Sequence, residues 1–354
     1  MTEFQMGKRE KGFRSLRWLP WGLLIFCMTL SGCGPSWEKE EAETGFFAMN
    51  TLMTFTAYGE NAQEALSEAR AQVERAEGLW SVTDENSEIW QANHSGGKAV
   101  PVSEETARLV SFALGMAQET DGALDPTVYP VLAAWGFTTQ EKRVPQKEEI
   151  DGLIGLVDHE KILLDGNLLT VPEGMALDFG AVAKGYAGDL AAQTLRSYGI
   201  ESAILSLGGN IQTVGGRPDG SEWRIGIRSP WEDGTLGTLR VRDCAVVTSG
   251  GYENYFTDEN GNIYWHILDP DTGYPADTGL VSVTVICQDG RVGDALSTAL
   301  FVMGAEKAED YWREAGNFEM ILVTEDRRLL VTEEAAGYFR QDGGRREKVS
   351  VLTR

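Results

Sequence analysis

Ala62, Leu66, Ala69, Val73, Ala76 and Trp80 recur at helical spacing and predict an amphipathic helix over residues 61–80. Residues 81–98 read as loop. A second helix is expected from Ser103 to about 120, because Ser103 is a good N-cap and Glu104 and Glu105 put negative charge in its first turn. A third ends near Tyr198, where Gly199 can take the left-handed conformation. Runs rich in β-branched and aromatic residues predict strands at 46–58, 202–207, 223–228, 237–242, 245–249, 263–268 and 280–286. A small hairpin pairs 161–164 with 168–171 across Asp165-Gly166-Asn167. Short helices at 294–303 and 305–315 precede a closing hairpin of 318–324 and 329–332. Residues 341–354 read as a polar tail.

The N-terminus follows a different pattern. Lys8, Arg9, Lys11, Arg14 and Arg17 precede an apolar run at 18–30, too short for a comfortable membrane span. It ends in Leu30-Ser31-Gly32-Cys33, which resembles the lipobox of bacterial lipoproteins. The domain reading is therefore a signal peptide at 1–32, a lipid-anchored tether at 33–45, a catalytic body at 46–340 and the tail. Cys33 would carry the lipid and hold the protein on the extracytoplasmic face of a bacterial membrane.

The 354-residue chain has a formal net charge of −23, which argues against a general nucleic-acid surface. With only His94, His159 and His266, and no CxxC, a zinc site is not expected. Cys244 and Cys287 sit in strand-like runs and read as core thiols.

Three stretches carry candidate chemistry. In Asp178-Phe179-Gly180-Ala181-Val182-Ala183-Lys184-Gly185-Tyr186, a turn of small residues opens a helix, presenting backbone N–H groups and one cation to an anion. The Walker spacing is absent, and a packed strand–helix turn would look the same locally. In Gly293-Asp294-Ala295-Leu296-Ser297-Thr298, a helix starting at Asp294 would put Ser297 and Thr298 on the same face as the carboxylate. That is either an oxygen-only cation site or an ordinary capped helix start. Third, His266 lies where a strand meets the Asp269-Pro270-Asp271-Thr272-Gly273 turn.

Taken in order, these blocks resemble the ApbE family of FAD:protein FMN transferases. Met49-Asn50-Thr51, Gly122 to Thr127, Trp135-Gly136-Phe137, Leu207-Gly208-Gly209-Asn210 and Thr248-Ser249-Gly250 complete the resemblance, which spans about residues 47–332. It implies an α+β, T-fold-related architecture, a mixed sheet core with flanking helices. It also implies transfer of the FMN half of FAD to a Thr or Ser of an acceptor protein, with Mg²⁺ and release of AMP. FMN-carrying subunits of membrane redox pumps are the kind of acceptor expected. By position, Met49, Ala123, Leu124, Asp125, Asp178, Lys184 and Leu268 would line the FAD site. The Ala181 carbonyl, Asp294 and Thr298 would hold Mg²⁺, with Ser297 a weaker candidate. Thr83 stands where the family often has an aromatic ring, and Trp80 is the nearby substitute. His266 is the candidate general base, with Asp269 or Asp178 to orient it. Alternative readings are Mg²⁺-dependent hydrolysis of FAD to FMN and AMP, and a non-enzymatic, lipid-anchored flavin-binding protein.

Overall fold

The computed structural model describes residues 40–139 and 141–354. The signal segment, Cys33 and most of the predicted tether lie outside the described residues.

Twelve strands and four long helices organise the site. The strands are β1 (Glu41–Ala48), β2 (Thr51–Tyr58), β3 (Ser202–Leu207), β4 (Asn210–Val214), β5 (Trp223–Arg228) and β6 (Thr235–Val241), then β7 (Ala245–Gly250), β8 (Leu280–Cys287), β9 (Glu319–Thr324), β10 (Arg328–Thr332), β11 (Phe339–Gln341) and β12 (Lys348–Leu352). The helices are α1 (Ala62–Trp80), α2 (Glu104–Glu119), α3 (Ala183–Ser197) and α4 (Gly290–Ala315). Nine strands form one mixed sheet in the order β1-β2-β3-β4-β7-β8-β9-β10-β12. A three-stranded sheet, β11-β6-β5, forms separately. The result is the expected α+β class.

Local sequence explains where the elements start and stop. The single strand expected at 46–58 is a hairpin, because Met49 and Asn50 both take positive φ (49° and 59°) and turn the chain in two residues. Phe46, Ala48, Met53, Phe55 and Ala57 then share the buried face. Strand β1 begins at Glu41, inside the segment expected to be tether. The Ser103 hydroxyl accepts the Thr106 N–H at 3.2 Å, as its N-cap role requires. The 81–98 region contains a short helix, Glu88–Asn93, capped by Ser87. Strand β4 escapes a pattern reading because it follows the Gly208-Gly209 turn at once and has only five residues.

Helix α3 packs against both α1 and α4, all three pack against the large sheet, and their apolar faces belong to the main core. On β5 and β6, Trp223, Ile225, Ile227 and Leu239 join Val246, Ile286, Ile321 and Val323 of the large sheet in a second core. The last residues are not a loose tail: β12 pairs in parallel with β10, from Arg328↔Lys348 to Thr332↔Leu352. Its Val349, Val351 and Leu352 alternate or abut polar residues in a run too short to register as a strand by pattern. Cys244 and Cys287 are free thiols, as expected.

The α3–α4 contact matters most for the site. Helix α4 starts at Gly290, four residues before the expected position, so Asp294 lies one turn inside it rather than at its cap. Its first N–H groups are satisfied from α3, by Asp189, whose carboxylate accepts from Gly290 N at 2.8 Å and Arg291 N at 2.9 Å. The two helices expected at 294–303 and 305–315 meet within α4 at Gly304, whose φ of 79° is non-helical and kinks the run between them.

Gly185 lets the backbones meet: a Cβ there would sit 2.1 Å from the Gly290 carbonyl oxygen and 2.7 Å from the Asp294 Cβ. At Gly188 the tightest contact of an added Cβ is the end of the Gln212 side chain, at 2.7 Å, which can move. Gly185→Ala is therefore expected to cost about 1–3 kcal/mol in urea unfolding, and Gly188→Ala distinctly less. Equal losses would show that the close approach at Gly185 is not what sets the helix spacing.

Candidate active site

Strands β4 and β7 pair at only two positions, Ala245↔Gln212 and Val246↔Ile211. Beyond Val246 they part, and the Gly208-Gly209-Asn210 turn and Thr248-Ser249-Gly250 border a cavity of about 970 Å³. The loop before α3, the first turns of α4, the β1–β2 turn and the segment around His266 reach the same cavity. Met49, Ala123, Leu124, Asp125, Asp178, Ala181, Lys184, His266, Leu268, Asp294 and Thr298 all line it. Ser297 does not. It is fully buried, donates to the Asp294 carbonyl at 3.0 Å and lies 2.8 Å from the Ser249 hydroxyl, so it is turned into the protein.

Asp294 is 4% exposed. Its Oδ1 accepts from Asn210 Nδ2 and its Oδ2 from Gly185 N, both at 2.9 Å. Both donors are neutral, and among the described residues no Lys or Arg pairs with it. A buried carboxylate without a cationic partner is costly, which makes it a fit for a bound cation. Because the Gly185 N–H goes to Asp294, it is not spent on the Ala181 carbonyl four residues back. That leaves the Ala181 oxygen available. Thr298, one turn beyond Asp294 on α4, has its hydroxyl 3.2 Å from Ser249 Oγ. A carboxylate, a carbonyl and a hydroxyl form a hard oxygen set of the kind Mg²⁺ prefers. Among the described residues no cluster of three or more His, Cys, Asp and Glu could hold a metal.

Across the cavity, Lys184 Nζ donates to the Gly180 carbonyl at 3.2 Å, which holds the ammonium over its own loop. Asp178 Oδ1 accepts the Gly180 N–H at 2.8 Å, closing the turn from inside. Burial pushes the Asp178 pKa up, while that N–H and Lys184 pull it back. Met49 is fixed by its own N–H, which donates to Glu77 Oε1 at 2.7 Å. No sequence motif singles out Glu77; only the fold brings it under the turn.

His266 Nδ1 lies 3.2 Å from the Asn254 carbonyl. A carbonyl only accepts, so Nδ1 carries the proton and Nε2 keeps a free lone pair. Burial first, and then Lys184, lower the His266 pKa to about 4. The orienting group is thus a backbone carbonyl, not the expected Asp269 or Asp178. Asp269 is used locally: its carboxylate accepts the Asp271 N–H at 2.9 Å and its carbonyl the Gly273 N–H at 2.8 Å. Trp135 braces that turn by donating from Nε1 to the Gly273 carbonyl at 2.8 Å.

Asp125 also differs from a free ligand. Its carboxylate accepts from Thr127 N and Oγ1 (2.8 and 2.5 Å) and from His159 N (3.1 Å), and pairs with His159 Nδ1 at 2.9 Å. It shapes the wall with Ala123 and Leu124. Trp80 lines the cavity, but its ring packs edge-on against Tyr186 at 5.4 Å in the core. Thr83 lines it as well, without a ring to offer.

Comparison with known proteins identifies the family and the fold. The ApbE family model matches residues 49–322. An FAD:protein FMN transferase of Klebsiella pneumoniae (strain 342) is 35% identical over 266 residues, covering 73% of this chain and 82% of its own. The ApbE protein of Thermotoga maritima superposes with a TM-score of 0.81 at 33% identity, covering 85% of this chain and all of that one. The apo flavinyl transferase ApbE of Pseudomonas stutzeri gives a TM-score of 0.73 at 30% identity, covering 81% of this chain and 92% of its own.

The depressed His266 pKa has two expected outcomes. In NMR titration of the ligand-free protein, the His266 midpoint falls near 4, and Lys184→Met moves it upward. The unfolded imidazole titrates near 6.5, so between 4 and 6.5 the unfolded chain binds more protons. Folding stability therefore declines as pH drops through that window. A midpoint at 6.5, unmoved by Lys184→Met, would contradict both.

Proposed function

This chain belongs to the ApbE family and is an FAD:protein FMN transferase, and on that premise we propose that it moves the FMN half of FAD, with Mg²⁺, onto a Thr or Ser hydroxyl of an acceptor protein and releases AMP. The observation that carries the finer reading is Asp294. It is a buried carboxylate with no cationic partner among the described residues, bound to the Gly185 amide of the loop that also supplies Lys184 and the free Ala181 carbonyl.

The residues divide the work as follows. Lys184 and the positive end of the α3 dipole offset the negative charge of the FAD pyrophosphate; the Ala183 and Gly185 N–H groups are already taken by the Phe179 carbonyl and Asp294. Asp294, Thr298 and the Ala181 carbonyl would hold Mg²⁺, which when bound supplies further charge neutralisation at the phosphates. Met49, Ala123, Leu124, Asp125, Asp178 and Leu268 frame the dinucleotide. The acceptor oxygen attacks the FMN phosphorus as the bond to the AMP phosphate breaks. His266 Nε2, neutral above about pH 4, takes the hydroxyl proton. The Asn254 carbonyl holds that ring in the tautomer that leaves Nε2 free. Cys33, which lies outside the described residues, would carry acyl chains and keep the enzyme at the membrane where a secreted acceptor can meet it.

Lipid-free protein beginning at Pro35, given FAD, Mg²⁺ and a candidate acceptor domain, is expected to yield a flavin-fluorescent acceptor band and one AMP per FMN transferred. Free FMN without the band would instead mean hydrolysis. Asp294→Asn should lower transfer about a hundredfold or more, and added Mg²⁺ should no longer sharpen its thermal transition. His266→Ala should cost about a hundredfold or more at neutral pH; a near-normal rate would remove its role as base. In cells, Cys33→Ala should move the enzyme out of the membrane fraction, and unchanged membrane association would refute the lipid anchor.

A further inference from the structure

Strand β5 has a partner on one side only. It lies at the end of the β11-β6-β5 sheet, in register with β6 from Trp223↔Val241 to Arg228↔Thr235. In an antiparallel ladder every other residue turns both its N–H and its C=O away from the partner. Among the described residues no other segment makes backbone hydrogen bonds to those outward groups. The cavity touches Arg224, Ile225, Gly226, Ile227 and Arg228, five residues in a row. Side chains alternate between the two faces of a strand, so a space that borders consecutive residues runs along the strand's edge. That edge therefore opens into the same space as Lys184, His266 and Asp294.

The surroundings suit an added strand. Ile225 and Ile227 point toward the large sheet and are buried, while Arg224, Gly226 and Arg228 are exposed. Ile204, Ile211 and Val246 of the large sheet border the same cavity and offer an apolar surface to the inward side chains of an incoming segment. The Arg228 end leads to the chemistry: Arg228 lies 3.7 Å from Glu253 and over the Tyr252 ring, and Asn254 next to them holds His266. At the other end, Arg224 forms no ion pair among the described residues, in a chain whose net charge is −23. Open edges are usually covered or guarded, because they recruit other chains. A transferase that acts on protein must admit a length of its substrate's chain to the active site.

Resting on the transfer reading above, we propose that the free edge of β5 is the docking surface for the acceptor. An extended segment of the protein substrate adds to β5 as a further strand, with an acidic side chain against Arg224 and the hydroxyl-bearing residue toward the His266 end. Main-chain bonds to β5 give affinity, and the alternating side chains give selectivity.

The test uses the whole enzyme and the acceptor domain that the wild-type enzyme labels with FMN. Arg224→Glu is expected to raise the KM for that acceptor about tenfold by like-charge repulsion, leaving kcat at saturating acceptor and FAD affinity unchanged. Addition of a Thr→Ala (or Ser→Ala) form of the acceptor, which binds but cannot react, is expected to slow amide hydrogen exchange at residues 224–228. Labelling by wild type with unchanged exchange across 224–228 overturns the strand-addition proposal alone, whatever the KM. If FAD binds but wild type labels none of the acceptor domains tested, the transfer reading fails and this inference falls with it.

Discussion

The site depends on how closely α3 approaches α4. At Gly185 the two backbones meet with no room for a side chain, and the Gly185 N–H donates to Asp294. This one contact does three things. It supplies a neutral donor to a buried carboxylate, so Asp294 is fixed without being neutralised. It diverts an N–H that would otherwise close on Ala181, leaving that carbonyl unspent. It also sets the Lys184 loop against the start of α4, which Asp189 ties down from the α3 side. Helix pairs usually keep 8–10 Å between axes, and glycine at the crossing is what permits a tighter fit.

Most of the architecture was legible from periodicity and punctuation. The α1 stripe, the Ser103 cap and the Gly199 stop are local signals, and the structure places α1, α2 and α3 where those signals fall. Strands β3 and β5 match the expected bounds for the same reason: alternating or apolar runs bounded by turn residues. The misses are places where tertiary context decides. The Met49-Asn50 turn divides one apparent strand into a hairpin because Glu77, on α1, holds the Met49 amide. Strand β12 is short, and it becomes a strand because β10 offers it an edge. The start of α4 at Gly290 depends on a cap from another helix, which no local motif announces.

The cavity was legible residue by residue but not as a network. The FAD and Mg²⁺ residues named from the sequence blocks all line it, Ser297 excepted, while Glu77 and the β5 residues were not named. What each side chain does there follows from its neighbours in space. Asp125 lines the cavity as expected, but its carboxylate is taken up by Thr127 and His159. His266 looked as though it needed an acid, and a backbone carbonyl orients it. Trp80 stood near the expected ring position, yet its ring is committed to Tyr186 in the core. In each case hydrogen-bond supply, or packing, was settled by the fold and not by the local pattern.

The narrow pairing of β4 with β7 has a mechanical consequence. Along most of the nine-stranded sheet, neighbours are joined by ladders three to eight residues long; here the ladder has only two register positions, extended at one end by bonds between Thr213 and Cys244 and between Gly215 and Asp243. Tension applied across the sheet would concentrate at that seam. The helices spanning it, α3 against β3 and β4 and α4 against β7 and β8, act as a splint on one face. On the opposite face the β5–β6 sheet covers the junction through side chains, with Ile211 of β4 and Val246 of β7 both packed in its core. The shortest ladder of the sheet thus coincides with the cavity that its substrates must enter.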